Sequence, residues 1–168
     1  MTLYTRCACG SVELEAAGAP IACVVCYCDD CQEGARRIEA LPGAGAVRDP
    51  DGGSNYIVFR KDRARCTKGA ALLLDTKVKD TSPTKRVVAR CCNSALYLGF
   101  DDSKHWLSLY RARFEGPLPP VQMRVCTKFK PAGTVLANDV PSYPKWPGKF
   151  LLKLLGARIA MAVNPAGG

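Results

Sequence analysis

The chain has 168 residues, of which 48% are apolar and 23% charged, with ten cysteines and a formal net charge of +9. That length suits one domain with a buried core, and that composition excludes disorder of the whole chain. The opening Met1-Thr2-Leu3-Tyr4-Thr5-Arg6-Cys7 lacks the apolar run of a secretory leader, and the apolar stretch 150–163 is broken by Lys153 and Arg158. It falls short of the roughly 20 residues of a membrane span, so a cytoplasmic protein with reduced thiols is expected.

In chain order the pattern is mostly that of strands. Residues 11–15, Ser-Val-Glu-Leu-Glu, alternate with Val12 and Leu14 on one face. Residues 32–41 are the one short helix candidate in the body, ended by Pro42-Gly43. Residues 55–59 follow the Asp51-Gly52-Gly53 turn signal, and the runs 71–74, 86–90, 95–100, 106–110 and 121–127 are short, apolar or β-branched. Strands at this spacing predict a mainly β domain. Residues 131–147 are rich in proline and predict an extended connector. A terminal helix is predicted over 148–163, docked on the core or, in the alternative, free for a membrane surface or a partner, with a frayed tail over 164–168. There are no internal repeats, and no oligomeric state follows from the sequence.

Charge divides the chain. Residues 1–120 carry 17 Lys/Arg against 14 Asp/Glu, whereas residues 121–168 carry 7 against a single Asp. The predicted organisation is a zinc-binding domain over 3–120 and a basic C-terminal extension over 121–168. The cysteine-bearing part is nearly neutral, so nucleic acid is not the expected partner there. The extension leaves room for an anionic one.

The cysteines carry the chemistry. Cys26, Cys28 and Cys31 form Cys-x-Cys-x-x-Cys, with Cys23 just ahead. Three thiolates this close can share one zinc. Two alternatives stay open at this point. The fourth position is free, as in catalytic zinc, or it is closed by Cys23 or a distant residue. Cys7 and Cys9 need remote partners, and Cys91 and Cys92, which lie between two predicted strands, are the candidates. A zinc there would staple the N-terminus to the sheet and stabilise the fold. Cys66 and Cys126 stand alone and are read as small core residues. His105, the only histidine, lies in a polar turn and is read as a surface residue.

Cys7-x-Cys9-Gly-Ser-Val-x-Leu14, then Cys26-x-Cys28-x-x-Cys31, then a strand leading to Cys92-x-x-x-Leu96, resembles the glutathione-dependent formaldehyde-activating enzyme and centromere-protein-V-like family. The resemblance covers roughly residues 3–120. It implies a β-tent fold of short antiparallel strands with two zinc sites. One would be structural, and the one on Cys26, Cys28 and Cys31 would lie where a small thiol such as glutathione binds. The implied reaction joins formaldehyde to glutathione as S-hydroxymethylglutathione, a carbon–sulfur lyase chemistry. Two departures stand out. Tyr27 replaces the family's histidine, which would change the pocket edge. Ala89 stands where a cysteine belongs, and Cys91 is the substitute ligand. Cys91 and Cys92 can meet one ion only through a local turn, because neighbouring strand side chains point to opposite faces.

Two functions follow from this reading. In the first, Cys26, Cys28 and Cys31 act catalytically through a bound zinc, with Arg36 and Arg37 as candidates for the carboxylates of the thiol. Ordinary solvation on a helix surface is the favoured reading of those two arginines. In the second, the protein is a non-catalytic zinc-stabilised module that binds a partner through its basic extension.

Overall fold

The computed structural model describes residues 1–165. Part of the predicted frayed tail, residues 166–168, lies outside the described residues. Asn164 is not free: its carbonyl accepts a hydrogen bond from Arg60 Nη2 at 2.9 Å.

The architecture is mainly β with a C-terminal helix, as predicted, and its strands form two sheets. The smaller sheet holds β1 (Thr2–Arg6), β2 (Glu13–Ala17) and β5 (Ala64–Lys68), in the order β1-β2-β5. The larger holds β3 (Ala22–Cys26), β4 (Ser54–Arg60), β6 (Leu73–Thr76), β7 (Thr84–Ala89), β8 (Ser94–Phe100), β9 (Trp106–Tyr110) and β10 (Met123–Val125). Its order is β10-β3-β4-β9-β8-β7-β6. All pairs are antiparallel except β10 with β3, where Val125 lies beside Cys26 in parallel register. That pairing draws the C-terminal extension into the main sheet.

Strand alternation divides the core. On β4, Tyr56 and Val58 face one side, and Ile57 and Phe59 face the other. The Ile57 and Phe59 side meets Leu3, Ala16 and Cys23. The opposite side is covered by the two helices, α1 (Asp29–Glu39) and α2 (Gly148–Val163).

Helix α1 begins three residues earlier than predicted. Asp29 and Asp30 sit in its first turn, where carboxylates complement the helix dipole, and they are the signal for the earlier start. Helix α2 matches its predicted bounds. It docks through Phe150 and Leu154, both buried, and each contributes at most about 1.5–3 kcal/mol. Leu152, Leu155, Ile159 and Val163 remain exposed. No helix among the described residues is long and apolar enough to cross a membrane.

His105 overturns its predicted surface position. It is buried, and its Nε2 lies 2.8 Å from the Leu154 carbonyl oxygen, so it pins α2 to the start of β9.

Candidate metal centres

Cys7 follows β1, and a turn at Gly10, whose φ is +74°, returns the chain to β2. The Cys7 thiol accepts the Val12 N–H at 3.3 Å, while Ala8 N–H donates to Ser94 Oγ at 2.9 Å. These bonds set Cys7 and Cys9 against the β7–β8 connection. That connection is the local turn the adjacent cysteines require. Cys92 N–H donates to the Ala89 carbonyl, and Asn93 takes a left-handed φ of 52°.

The four sulfurs of Cys7, Cys9, Cys91 and Cys92 lie within 4.8 Å of one another. Cys9 is 3.5 Å from Cys7 and 3.4 Å from Cys91, and Cys91 is 3.9 Å from both Cys7 and Cys92. Zinc–sulfur bonds of about 2.3 Å place the corners of a tetrahedron about 3.8 Å apart. The donor set therefore fits a tetrahedral thiolate-bound ion. The Cys9 thiol is held down to about 6 by the Ser11 hydroxyl and N–H, with Cys91 and Cys7 adding to the effect.

The second cluster brings Cys26, Cys28 and Cys31 within 4.8 Å of one another. Cys26 ends β3, Cys28 caps α1, and Cys31 lies in its first turn. The helix N-terminus favours negative charge at this point. Cys28 carries it. Its thiol is held down to about 3 by the thiols of Cys26 and Cys31, with the Cys31 N–H and Arg86 assisting against burial. Cys26 is pushed well above its usual range by hydrogen bonds to Cys126, Cys28 and Cys31. Cys31 also receives a bond from Cys26, but Cys28 and burial outweigh it and raise it to about 12. Tyr56 Oη donates to Cys31 Sγ at 3.6 Å.

Three expectations about this region change. Cys23 cannot close the centre. The alternation of β3 puts it on the opposite face of the sheet, packed with Ile57 and Phe59. Cys23→Ser is expected to leave metal content unchanged, as elemental analysis of the purified variant would show; loss of an ion would place Cys23 among the ligands. Tyr27 does not edge the pocket. Its ring is fully buried under Gly53, where a Cβ would come within 2.8 Å of it, and its hydroxyl donates to Asp51 Oδ2 at 2.7 Å. Cys126 is buried, as predicted for a core residue, but it is not isolated. It follows β10 with a left-handed φ of 58°, and this turn carries its thiol beside that of Cys26.

Cys26, Cys28 and Cys31 also line a cavity of about 340 Å³, with Trp106 and Phe100 from the sheet and Phe150 and Leu154 from α2 among its walls. Arg36 and Arg37 are elsewhere. Both are exposed and paired with Glu33, at 2.9 and 2.6 Å, as ordinary helix-surface residues. Two cations line the cavity, Lys104 and Arg86, and sequence reasoning misses both. For Arg86, its place directly ahead of the apolar run Val87-Val88-Ala89 of β7 is the signal. Arg86 is 2% exposed and lies across Gly34 of α1, where a Cβ would collide with its guanidinium. It donates to the Asp30 carbonyl, and its Nε has no partner.

Among curated proteins none matches the chain. The crystal structure of a Rhodobacter sphaeroides protein is similar at a TM-score of 0.49 and 20% identity, covering 69% of this chain and 91% of that one. The family model for glutathione-dependent formaldehyde-activating enzyme matches residues 2–41, the stretch from β1 through α1 that contains both early cysteine motifs. The resemblance carried by Cys7-x-Cys9-Gly-Ser-Val-x-Leu14 and Cys26-x-Cys28-x-x-Cys31 is thereby borne out, and over residues 2–41 the chain matches the glutathione-dependent formaldehyde-activating enzyme family.

Proposed function

We propose that this protein is a zinc-dependent catalyst of carbon–sulfur chemistry on a small-thiol adduct of the S-hydroxymethylglutathione type. The reading places a structural zinc on Cys7, Cys9, Cys91 and Cys92, and a working one on Cys26, Cys28 and Cys31. The observation that supports it most is the convergence of these last three thiols on the wall of a cavity large enough for a small ligand. Such a zinc, when bound, lowers the pKa of a thiol that joins it.

The chain's own groups do the rest. The three cysteines supply soft donors that favour zinc over harder cations. The apolar walls exclude water from the reacting sulfur. Asp30 is the one carboxylate among the lining residues and is the candidate carrier of the proton. In the synthetic direction a carbon–sulfur bond forms between thiol and aldehyde, and the thiol proton ends on the former carbonyl oxygen. The lyase direction reverses both steps. A thiol-only donor set also suits a reducing compartment such as the cytoplasm.

A second reading has its own observation. The Cys126 thiol beside Cys26 would give a four-sulfur, closed centre and a stabilised module without catalysis. The test is cobalt-substituted protein titrated with small thiols, together with magnetic-resonance exchange between labelled formaldehyde and its thiol adduct. New sulfur-to-metal bands and accelerated exchange are expected. Unchanged bands with every thiol, and exchange no faster than in buffer, would contradict the catalytic reading.

A further inference from the structure

The cavity beside Cys26, Cys28 and Cys31 has an unusual balance. Its body is aromatic and aliphatic. Phe100 and Trp106 meet edge to face at 5.3 Å on one wall, and Trp146 stacks on Phe150 at 5.0 Å on another. Both walls lie outside the family-matched stretch, and the second belongs to the C-terminal extension. Against this body stand two cations, Arg86 and Lys104, and one carboxylate, Asp30. Lys104 is already committed, paired with Asp102 and lying over the Phe100 ring at 5.0 Å.

Arg86 is different. It is almost wholly buried, it has no carboxylate partner among the described residues, the negative group it is seen to favour is the Cys28 thiol, and its unpartnered Nε is packed against Gly34. A buried guanidinium is costly unless anions meet it; once a metal shares the charge of Cys28, a carboxylate is the partner that suits its planar fork. Gly34 is what lets it stand there, since any side chain at that position would occupy the space of the guanidinium.

Glutathione is poorly matched to these walls. It has two carboxylates, an ammonium group and no apolar side chain, so that even with Arg86 for one carboxylate and Asp30 for the ammonium it would bury a second carboxylate against Trp106, Phe150 and Leu154. We propose that the cavity selects a thiol, or its aldehyde adduct, with an aromatic or branched aliphatic body and a single carboxylate set against Arg86. This rests on the reading of Cys26, Cys28 and Cys31 as the thiol-binding centre. In that arrangement sulfur meets the cysteine cluster, the carboxylate meets Arg86, and the apolar body fills the space between the sheet and α2.

Four probes separate the parts: 2-mercapto-3-phenylpropanoate, mercaptoacetate without the ring, 2-phenylethanethiol without the carboxylate, and glutathione. Affinities are read from the charge-transfer bands of the cobalt protein and, independently, from tryptophan fluorescence of the zinc protein. The complete probe is expected to bind at least about tenfold tighter than each of the other three. Trp106→Ala should erase its advantage over mercaptoacetate, and Arg86→Gln its advantage over 2-phenylethanethiol, with Arg86→Lys intermediate. Glutathione binding as tightly as the complete probe, or an unchanged ranking in both variants, would overturn the inference and leave the thiol-binding centre standing. Failure of all four to perturb the cobalt bands would instead defeat the centre itself, and this inference with it. The ranking in the unaltered protein decides the matter even if a variant does not fold.

Discussion

Cys91→Ser and Cys92→Ser should each release the metal of the first cluster and lower the melting temperature by about 8–16 °C, taking an ion held at a thousand times its Kd as a stabilisation of about 4 kcal/mol. The two variants should be equivalent, because all four sulfurs fall within 4.8 Å and both residues sit on one tight turn. The effect arises because the ion binds only the folded arrangement. It ties the segment after β1 to the β7–β8 turn, more than eighty residues away in sequence, as the 3.4 Å approach of Cys9 to Cys91 shows. Thermal melts with and without a chelator check it. The chelator should lower the unaltered protein to the level of the variants and leave the variants where they are. A silent Cys91→Ser beside a damaging Cys92→Ser would remove Cys91 from the ligands.

Both cysteine clusters are legible in the amino-acid sequence, because their ligands come in three closely spaced groups, Cys7 with Cys9, Cys26 with Cys28 and Cys31, and Cys91 with Cys92, and Cys91 stands two positions from Ala89, where a ligand is missing. Strands β4, β8 and β9 are legible because their apolar runs are bounded by clear turn signals. Strands β1 and β5 are hidden, since both lie in the smaller sheet with polar residues facing outward, and Arg6, Arg65 and Lys68 interrupt any apolar run. β3 is masked by its own cysteines, which draw attention as ligands. Only its alternation, known once it is a strand, sends Cys23 and Cys26 to opposite faces. The corrections at His105 and Tyr27 share a cause. Both residues are buried by distant segments, α2 in one case and the Gly53 turn in the other, and local polarity says nothing about such partners. Arg86 escapes sequence reasoning for the same reason: its place depends on Gly34, in a different element far along the chain.

Cys28→Ser should remove the second metal and abolish every thiol-dependent change, while the first metal stays. Cys28 is the sulfur on which the cluster concentrates its charge, and serine cannot replace it as a soft ligand. Two ligands remaining from Cys26 and Cys31 would not hold zinc against a competing chelator. Metal content should fall from two ions per chain to one, and the melting temperature should fall by the amount that the second ion's own affinity sets. Cys126→Ser separates the two functional readings. With the position beside Cys26 emptied, an open centre should keep its metal and its response to thiols, whereas a closed four-sulfur centre should lose the ion or gain a thiol response it previously lacked. Retention of two ions in Cys28→Ser would show that the metal does not rest on this cluster.

X-ray absorption at the zinc edge, recorded before and after addition of 2-mercapto-3-phenylpropanoate, tests the central claim most directly. Four sulfurs on one ion and three on the other give an average of about 3.5 per zinc at rest, and a bound thiol should raise it to about 4. A resting average of about 4 that the thiol leaves unchanged would mean that Cys126 closes the second centre, and the catalytic reading would fall.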